Sequence, residues 1–334
     1  MVRALLCRQW CDFRDLSLVE VAEPVLTPGG VHIAVHYAGL GFAHSLVVAG
    51  KYQVQPPRPF IPGTEIAGIV LETAEDVEHV KRGDQVLATV DWGGFAERTV
   101  APAETVYRLP STADPASSIQ LATSYSTAYA ALTWRARIEE QENLLVHGAG
   151  GALGLSAVEL GSLLGARVIA CASSAEKRKM ALAHGADVAL PATGFREQVK
   201  TLTNGRGADV VFDPVGGDVF DESLRAMAPE GRILPVGFAS GRIPRIPANI
   251  VLVKNISVLG FYYGSYIKGG PEDQRGRSAP KVQAMMSQLI GWMQEGRLKP
   301  TLAGIFDLNQ YAEAMDSVLT RRSIGKVVLR IGPV

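Results

Sequence analysis

The residues of this chain best placed to do chemistry are glycines. Gly148, Gly151 and Gly154 recur three apart within Leu144-Leu145-Val146-His147-Gly148-Ala149-Gly150-Gly151-Ala152-Leu153-Gly154. An apolar strand precedes them, and Leu153, Ala157, Leu160 and Leu164 then recur at helical spacing until Gly165. A second strand follows from Arg167 to Ser174. The first amides of a helix have no partner within it, and the helix dipole adds positive character there, so an anion is held well. Glycine lets the turn bend sharply and lets a phosphate approach the backbone. In the order strand, turn, helix, strand, the backbone around Gly148, Gly151, Ala152, Leu153 and Gly154 is expected to hold the pyrophosphate of a dinucleotide.

The tip of the second strand argues for which dinucleotide. NAD sites commonly place Asp or Glu there, against the ribose hydroxyls. This chain has Ala172, Ser173 and Ser174, with Lys177 and Arg178 in the next helical turn. An acid would repel a 2′-phosphate, whereas hydroxyls and a cation favour it. The pattern favours NADPH, with Ser173, Ser174 and Lys177 on the phosphate. The plainer reading is that Ser174 caps the helix and Lys177 is a solvated lysine. Glu176 stands near enough in sequence to pair with either cation.

Around this turn the chain alternates strands and helices. Strands are expected at Val188–Leu190, Ala208–Asp213, Arg232–Val236 and Ser257–Gly260, with helices near Ala175–His184, Phe195–Thr203 and Asp218–Met227. Six strands with intervening helices predict a doubly wound parallel sheet of Rossmann type. Residues 1–120 have another texture, with short β-like segments parted by Pro and Gly: Val31–Tyr37, Ile66–Glu72, Gln85–Val90 and Phe95–Val100. That texture predicts a β-rich, barrel-like domain. Ile119–Ala131 reads as an Ala-rich helix at the junction. After a polar loop at Lys268–Arg277, helices near Pro280–Glu295 and Asn309–Leu319 lead to a last strand, Lys326–Arg330. With the nucleotide sheet complete, that strand must pair back in the first domain. The expected organisation is a split domain, residues 1–120 and 261–334, around an inserted nucleotide domain, residues 121–260.

Composition sets the bounds. A length of 334 residues suits two domains. Lys and Arg number 33 against 33 Asp and Glu, so no global field favours nucleic acid or an anionic membrane. No apolar run reaches the length of about 18 residues that a membrane helix needs, and Met1–Trp10 shows no secretory h-region. Cys7, Cys11 and Cys171 make no disulfide framework. A cytoplasmic protein is expected.

Several segments then fall into one order. Gly39-Leu40-Gly41-Phe42-Ala43-His44 leads to Gly50-Lys51-Tyr52 and to Pro59-Phe60-Ile61-Pro62-Gly63-Thr64-Glu65-Ile66-Ala67-Gly68. Lys81-Arg82-Gly83-Asp84-Gln85-Val86, Ser126-Thr127-Ala128-Tyr129, the glycine turn, Asp213-Pro214-Val215-Gly216-Gly217 and Gly325-Lys326-Val327-Val328 follow. In this order the chain resembles the zinc-free quinone oxidoreductase branch of the medium-chain dehydrogenase/reductase superfamily, of which zeta-crystallin is one example. The resemblance implies an α/β protein with a GroES-like β-barrel catalytic domain, a Rossmann domain and a site in the cleft between them. It also implies NADPH as donor, a small-molecule quinone or enone as acceptor, and a homodimer or homotetramer.

Zinc members of that superfamily carry Cys, His and Cys where this chain has Gly41, Thr64 and Thr123. No metal is therefore expected, since a zinc site needs three or four N, S or O ligands at set distances. Direct hydride transfer then suits acceptors already made electrophilic by conjugation, namely quinones and α,β-unsaturated carbonyls. The protein would position them, exclude water and stabilise a developing oxyanion.

By resemblance, Tyr52 is a pocket tyrosine and Thr127 a hydroxyl near the nicotinamide. Val215, Gly237 and Phe238 lie at strand ends where ligands sit, Tyr263 lines the cleft, and Arg321 reaches for the 2′-phosphate. Each also has a plainer reading as a core or surface residue. The family's usual Asn and Asp are replaced by Gly41 and His44, and Ala192 stands where many relatives have a tyrosine. His44 is a candidate replacement proton donor, imidazole titrating near neutrality, or else a surface or hinge histidine. An enoyl-thioester reductase stays open, with Lys254, Arg242 and Arg245 as candidates for CoA phosphates. A low-turnover NADPH-binding structural or RNA-binding protein stays open too, though the neutral charge weighs against RNA.

Overall fold

The strand Gly30–Leu40 is almost wholly buried along its 11 residues, and neighbours cover both its edges. It is the centre of the first of two units in the computed structural model, which describes residues 1–268 and 273–332. That unit comprises Met1–Thr123, Gly264–Gly296 and Pro300–Val334. Its main sheet runs Leu302–Asp307, Lys326–Arg330, Gly30–Leu40, Glu65–Thr73, Gln85–Thr89, Val106–Arg108, with Arg98–Pro102 also on the central strand. The last strand returns as expected: Val327 pairs antiparallel with Leu40. Leu5, Phe13, Ile33, Phe60, Ile66 and Phe95 fill the core.

The second unit, Ser124–Tyr263 with Arg297–Lys299, is a six-stranded sheet in which every pairing is parallel. Its order is Val188–Pro191, Arg167–Ala172, Asn143–Val146, Ala208–Asp213, Met227–Pro235, Ser257–Val258. The chain starts in the middle, works out to one edge, then crosses to the other side. The direction reverses between Asn143–Val146 and Ala208–Asp213, where open α/β sheets hold their ligands. Among the described residues no helix is long and apolar enough to cross a membrane.

Some details differ from the sequence reading. Met227–Pro235 is one strand, because Glu230 takes a left-handed conformation (φ 63°) that lets the chain kink and continue. The strand expected at Phe95–Val100 is Arg98–Pro102, since Phe95 is drawn into a turn by bonding the Pro62 carbonyl at 2.8 Å. The junction helix runs Pro115–Ala136, with widened turns at Leu121–Tyr125 and Ala130–Ala136. Within the expected loop Lys268–Arg277, residues 269–272 lie outside the described residues.

Candidate active site

The glycine turn is built as a phosphate site must be. Gly148 has φ +61°, a left-handed conformation that a side chain disfavours. A Cβ on Gly154 would lie 2.2 Å from the Gly148 carbonyl oxygen, so only glycine lets the helix start pack on the turn. A Cβ on Gly151 would meet only that oxygen, at 3.7 Å, which leaves the outer side of the turn open. Gly151 caps the helix Ala152–Leu163 with no side chain of its own. A dinucleotide's pyrophosphate fits this turn, with Gly151, Ala152 and Leu153 at the helix start to meet it. His147, just before the turn, is buried and held neutral, its pKa pressed down to about 3 by burial. It bonds Ser223 at 2.7 Å, and as the Ser223 hydroxyl donates to Val219, the imidazole is the donor to Ser223.

At the tip of the next strand, Ser174 caps a helix by accepting from the Lys177 amide at 3.2 Å. The Lys177 side chain lies across Gly150, its Cγ 2.5 Å from where a Cβ there would be. The structure thus brings Lys177 against the glycine turn, while Arg178 turns away to donate to the Ala172 carbonyl at 3.2 Å. Val215, Gly237 and Phe238 sit together at the C-terminal edge of the sheet: Ala239 donates to Pro214 at 3.1 Å and Ser240 to Val215 at 2.9 Å. Asp213 is fully buried, accepts from the Val215 and Gly216 amides, and has its pKa raised to about 6 by burial. Tyr263 is buried and hydrogen-bonded to Ser126, which makes it a core residue of this unit. Thr127 is half-buried one residue further on. Arg321 is exposed and belongs to the first unit, in a left-handed turn after the helix Tyr311–Leu319.

The first unit holds a second group of polar residues. Glu65 opens one strand and Lys326 another, on opposite sides of the central strand. Between them lies Gly39, where a Cβ would come within 2.5 Å of the Glu65 carboxyl carbon. The carboxylate passes over this gap, ion-pairs with Lys326 and accepts from the Thr123 hydroxyl. His44 is buried beside them, and its pKa is held down to about 4 mainly by burial. It is therefore neutral, neither a surface histidine nor, at neutral pH, an imidazolium. Its Nδ1 stands 3.1 Å from the Gly41 amide nitrogen and 3.2 Å from the Gly41 carbonyl oxygen, and its Nε2 stands 3.3 Å from the Thr64 hydroxyl. The positions of the zinc ligands in relatives thus hold Gly41, Thr64 and Thr123, which offer neither thiolate nor imidazole, and no group of three potential ligand side chains occurs among the described residues.

Thr64 faces a small pocket shared with Tyr52, Asp91, Trp92, Lys268 and Val47. Tyr52 is where the sequence expected a pocket tyrosine. Lys268 was missed, because it lies far from the other lining residues in sequence and only the fold brings it there. Its backbone is fixed by a bond to Gly264 at 2.9 Å, and its ammonium stands 5.9 Å from the centre of the Tyr52 ring. A larger hollow, lined by Asp76, His79, Glu104 and Gln283 among others, contains none of the expected site residues.

A barrel-type sheet unit with a Rossmann sheet carrying a glycine turn defines a two-part nucleotide-dependent oxidoreductase chain. Comparison with known proteins narrows this. Residues 27–111 match the alcohol dehydrogenase GroES-like domain and residues 152–276 the zinc-binding dehydrogenase family. The chain is 40% identical over 304 residues to a quinone oxidoreductase-like protein 2 homolog of Nematostella vectensis, covering 90% of this chain and 81% of that protein. It is 37% identical to the rat quinone oxidoreductase-like protein 2 over 98% of this chain and 92% of the relative. Among solved structures it is similar to the quinone oxidoreductase from Thermus thermophilus, described also in complex with NADPH: 31% identity, TM-score 0.83, 98% of this chain and 100% of that one. The chain belongs to the quinone oxidoreductase branch of the medium-chain dehydrogenase/reductase superfamily.

Proposed function

We propose that this protein is a zinc-independent, NADPH-dependent reductase that passes hydride to a quinone or another α,β-unsaturated carbonyl. The observation that carries the reading is Lys177 lying across Gly150, with no acid at the tip of Ala172-Ser173-Ser174. That places a cation beside the phosphate turn where NAD sites place a carboxylate. The Thermus relative's NADPH complex supports the same donor. When bound, the dinucleotide supplies a hydride. Gly148, Gly151, Ala152, Leu153 and Gly154 would hold its pyrophosphate, Ser173, Ser174 and Lys177 its 2′-phosphate, and Val215, Gly237 and Phe238 would line the strand ends beyond. Tyr52 would stack on a flat acceptor, and Thr127 would present a hydroxyl toward the nicotinamide. His44, neutral and buried, would act through the Thr64 hydroxyl 3.3 Å from its Nε2.

The CoA-ester alternative loses ground in the structure. Lys254 spends its ammonium on the carbonyls of Leu224, Arg225 and Met227, and Arg242 pairs with Asp218 and Asp221. The second unit also exposes Ile243, Ile246, Leu252 and Val253, the last two in the helix Ala248–Lys254 just before the edge strand Ser257–Val258. An edge strand beside apolar side chains suits pairing with a second copy, and a homodimer is proposed.

The test follows the nicotinamide absorbance with NADPH and, in turn, 9,10-phenanthrenequinone, an enone and crotonyl-CoA. Turnover with the quinone or the enone is expected. Turnover with the CoA ester alone, or tight NADPH binding without any turnover, would overturn the reading.

A further inference from the structure

Asp213 ends the strand Ala208–Asp213 and is fully buried. Its Oδ1 accepts from the Val215 amide at 2.8 Å and the Gly216 amide at 3.0 Å. Its Oδ2 has no hydrogen-bond partner among the described residues. A carboxylate can accept about four hydrogen bonds; here two are made, both on one oxygen. A buried charge so thinly supported is costly, and a proton removes that cost.

The turn that Asp213 holds is the neighbour of the glycine turn, and both belong to the second unit. Pro214 Cγ and Val215 Cγ2 stand 3.3 and 3.6 Å from where a Gly148 Cβ would be. The His147 amide, just before Gly148, donates to the Phe212 carbonyl at 3.0 Å. Gly216 and Gly217 follow with φ +70° and +59°, the left-handed region that glycine favours. A Cβ on Gly216 would lie 3.0 Å from Phe238 Cδ1. The two amide bonds to Asp213 therefore fix the wall that runs from the glycine turn toward Phe238.

We infer that Asp213 is a positioning residue of the dinucleotide site: it sets the Val215-Gly216 turn against Gly148, and its carboxyl takes up a proton when the anionic cofactor binds. This rests on the dinucleotide lying at the glycine turn, and adds a residue and a proton to that reading. The proton comes from solvent and returns to it on release. Val215 is two residues from Asp213, at most about 7 Å of chain, so the carboxyl and a phosphate at Gly148 are on the order of 10 Å apart. At that distance and an effective dielectric of about 20, one net negative charge tightens the hold on the proton roughly tenfold.

Burial raises the Asp213 pKa to about 6, and the two amide bonds oppose the rise. The other charged and titratable groups of the packed elements are engaged elsewhere. His147, after the strand Asn143–Val146, is neutral, its pKa held down to about 3 by burial. On the helix Asp218–Ala226, Asp218 and Asp221 pair with Arg242, Glu222 accepts from the Arg196 amide, and Arg225 donates to the Asp221 carbonyl. Arg232 on the strand Met227–Pro235 pairs with Glu142, and Asp209, four residues back on the Asp213 strand, pairs with Arg206. The protonated carboxyl is the form that favours the cofactor. Affinity is therefore full below pH about 6 and is lost as pH rises past it.

The experiment titrates wild type, Asp213→Asn and Asp213→Ala with NADP+ in a calorimeter from pH 5 to 8, in buffers of different ionisation heat. The 2′-phosphate titrates equally in all three, so the comparison isolates Asp213. Wild type should take up about half a proton more than Asp213→Asn near pH 6.5, the yield of a tenfold change in proton affinity. Between pH 5 and 8 its Kd should rise about tenfold more than that of Asp213→Asn. Asp213→Asn keeps the accepting oxygen without the charge, and should bind within about threefold of wild type at pH 5. Asp213→Ala strands two amides and should bind about tenfold more weakly than Asp213→Asn throughout. Equal proton uptake in wild type and Asp213→Asn would overturn the inference, as would Asp213→Ala binding as tightly as Asp213→Asn. A wild type that binds no NADP+ overturns the nucleotide reading itself. Should neither variant fold, wild type is titrated with NAD+, whose pyrophosphate has no titrating group in this range: proton uptake supports the inference, and its absence rejects it.

Discussion

Removing the Lys326 ammonium should be the most destructive single change to the first unit. Lys326 and Glu65 are separated by the whole length of the domain in sequence, yet their side chains are only 5% and 3% exposed. The carboxylate reaches the ammonium only because Gly39 has no Cβ in its path, and the Thr123 hydroxyl occupies its other oxygen. Lys326→Met keeps the stem and strand but leaves a buried carboxylate whose cation is gone. Breaking a buried pair in this way costs about 3–5 kcal/mol, a large part of the roughly 5–15 kcal/mol that holds a domain together. For a unit of this size each kcal/mol moves Tm by about 2–4 °C, so a fall of roughly 6–20 °C is expected. Adding Glu65→Gln removes the stranded charge, and the double variant should recover most of the loss. Gly39→Ala should imitate the single variant, because its methyl collides with Glu65. Urea unfolding of the four proteins measures the cycle. A cost below about 1 kcal/mol for Lys326→Met, or a double variant as weak as the two single losses added together, would refute the reasoning, since charges that matter only as a pair must couple.

Four further outcomes are expected. Lys177→Glu should weaken NADPH by about 10- to 150-fold, the worth of one hydrogen bond to a charged group, and leave NADH nearly unchanged; equal losses in a fluorescence titration would remove Lys177 from the 2′-phosphate. Gly154→Ala forces a methyl to 2.2 Å from a backbone oxygen, so it should cost about 1–3 kcal/mol or more in stability and weaken NADPH; a wild-type Kd would show that the turn does not hold the cofactor. Leu252→Asp with Val253→Asp should shift the protein from dimer to monomer in light scattering, whereas a wild type that is already monomeric would reject the proposed interface. Asp213 supplies the pH test. Its folded pKa of about 6 lies above the ordinary 3.8 because burial disfavours the charge. The folded state therefore binds the proton more tightly, and stability from this group is full below pH about 4 and lost as pH rises through about 6. The displacement is worth about 3 kcal/mol. Asp213→Asn should flatten that part of the stability curve in denaturant titrations from pH 4 to 7, and an unchanged curve would mean Asp213 ionises as freely as in the unfolded chain.

What could be read from the sequence was what is decided locally. The glycine turn, the strands beside it and the helix that follows are short-range patterns, and each lies within a residue or two of its expected place. The last strand could be anticipated because a strand with no room in one sheet must join another. The pieces that escaped lack a local signal. Leu302–Asp307, the parallel partner of the last strand, contains a glycine and alternates half-buried with exposed residues, which reads as loop. Phe42–Val48 and Ala248–Lys254 are helices of 7 residues each, too short for a clear period. His44 could be singled out as a titratable residue, but only packing decides that it is neutral. Tyr263 could be read from the sequence as a cleft, interface or core residue, and only packing shows it buried, 5% exposed and bonded to Ser126. Lys268 and the Glu65–Lys326 pair had no signal at all, since their partners are assembled from distant strands and loops.

The two missed features bear on each other. A metal would place a concentrated positive charge beside a substrate oxygen, and where its ligands stand in relatives this chain has Gly41, Thr64 and Thr123. The first unit is nevertheless not short of cations near that place: Lys326 is fixed on Glu65, and Lys268 faces the pocket that Thr64 lines. Lys326 is buried with its carboxylate, so its charge is spent on structure. Wild-type turnover with 9,10-phenanthrenequinone should be unchanged after dialysis against EDTA. A rate that collapses with EDTA and returns with zinc would show instead that ligands outside the Gly41, Thr64 and Thr123 positions recruit a metal.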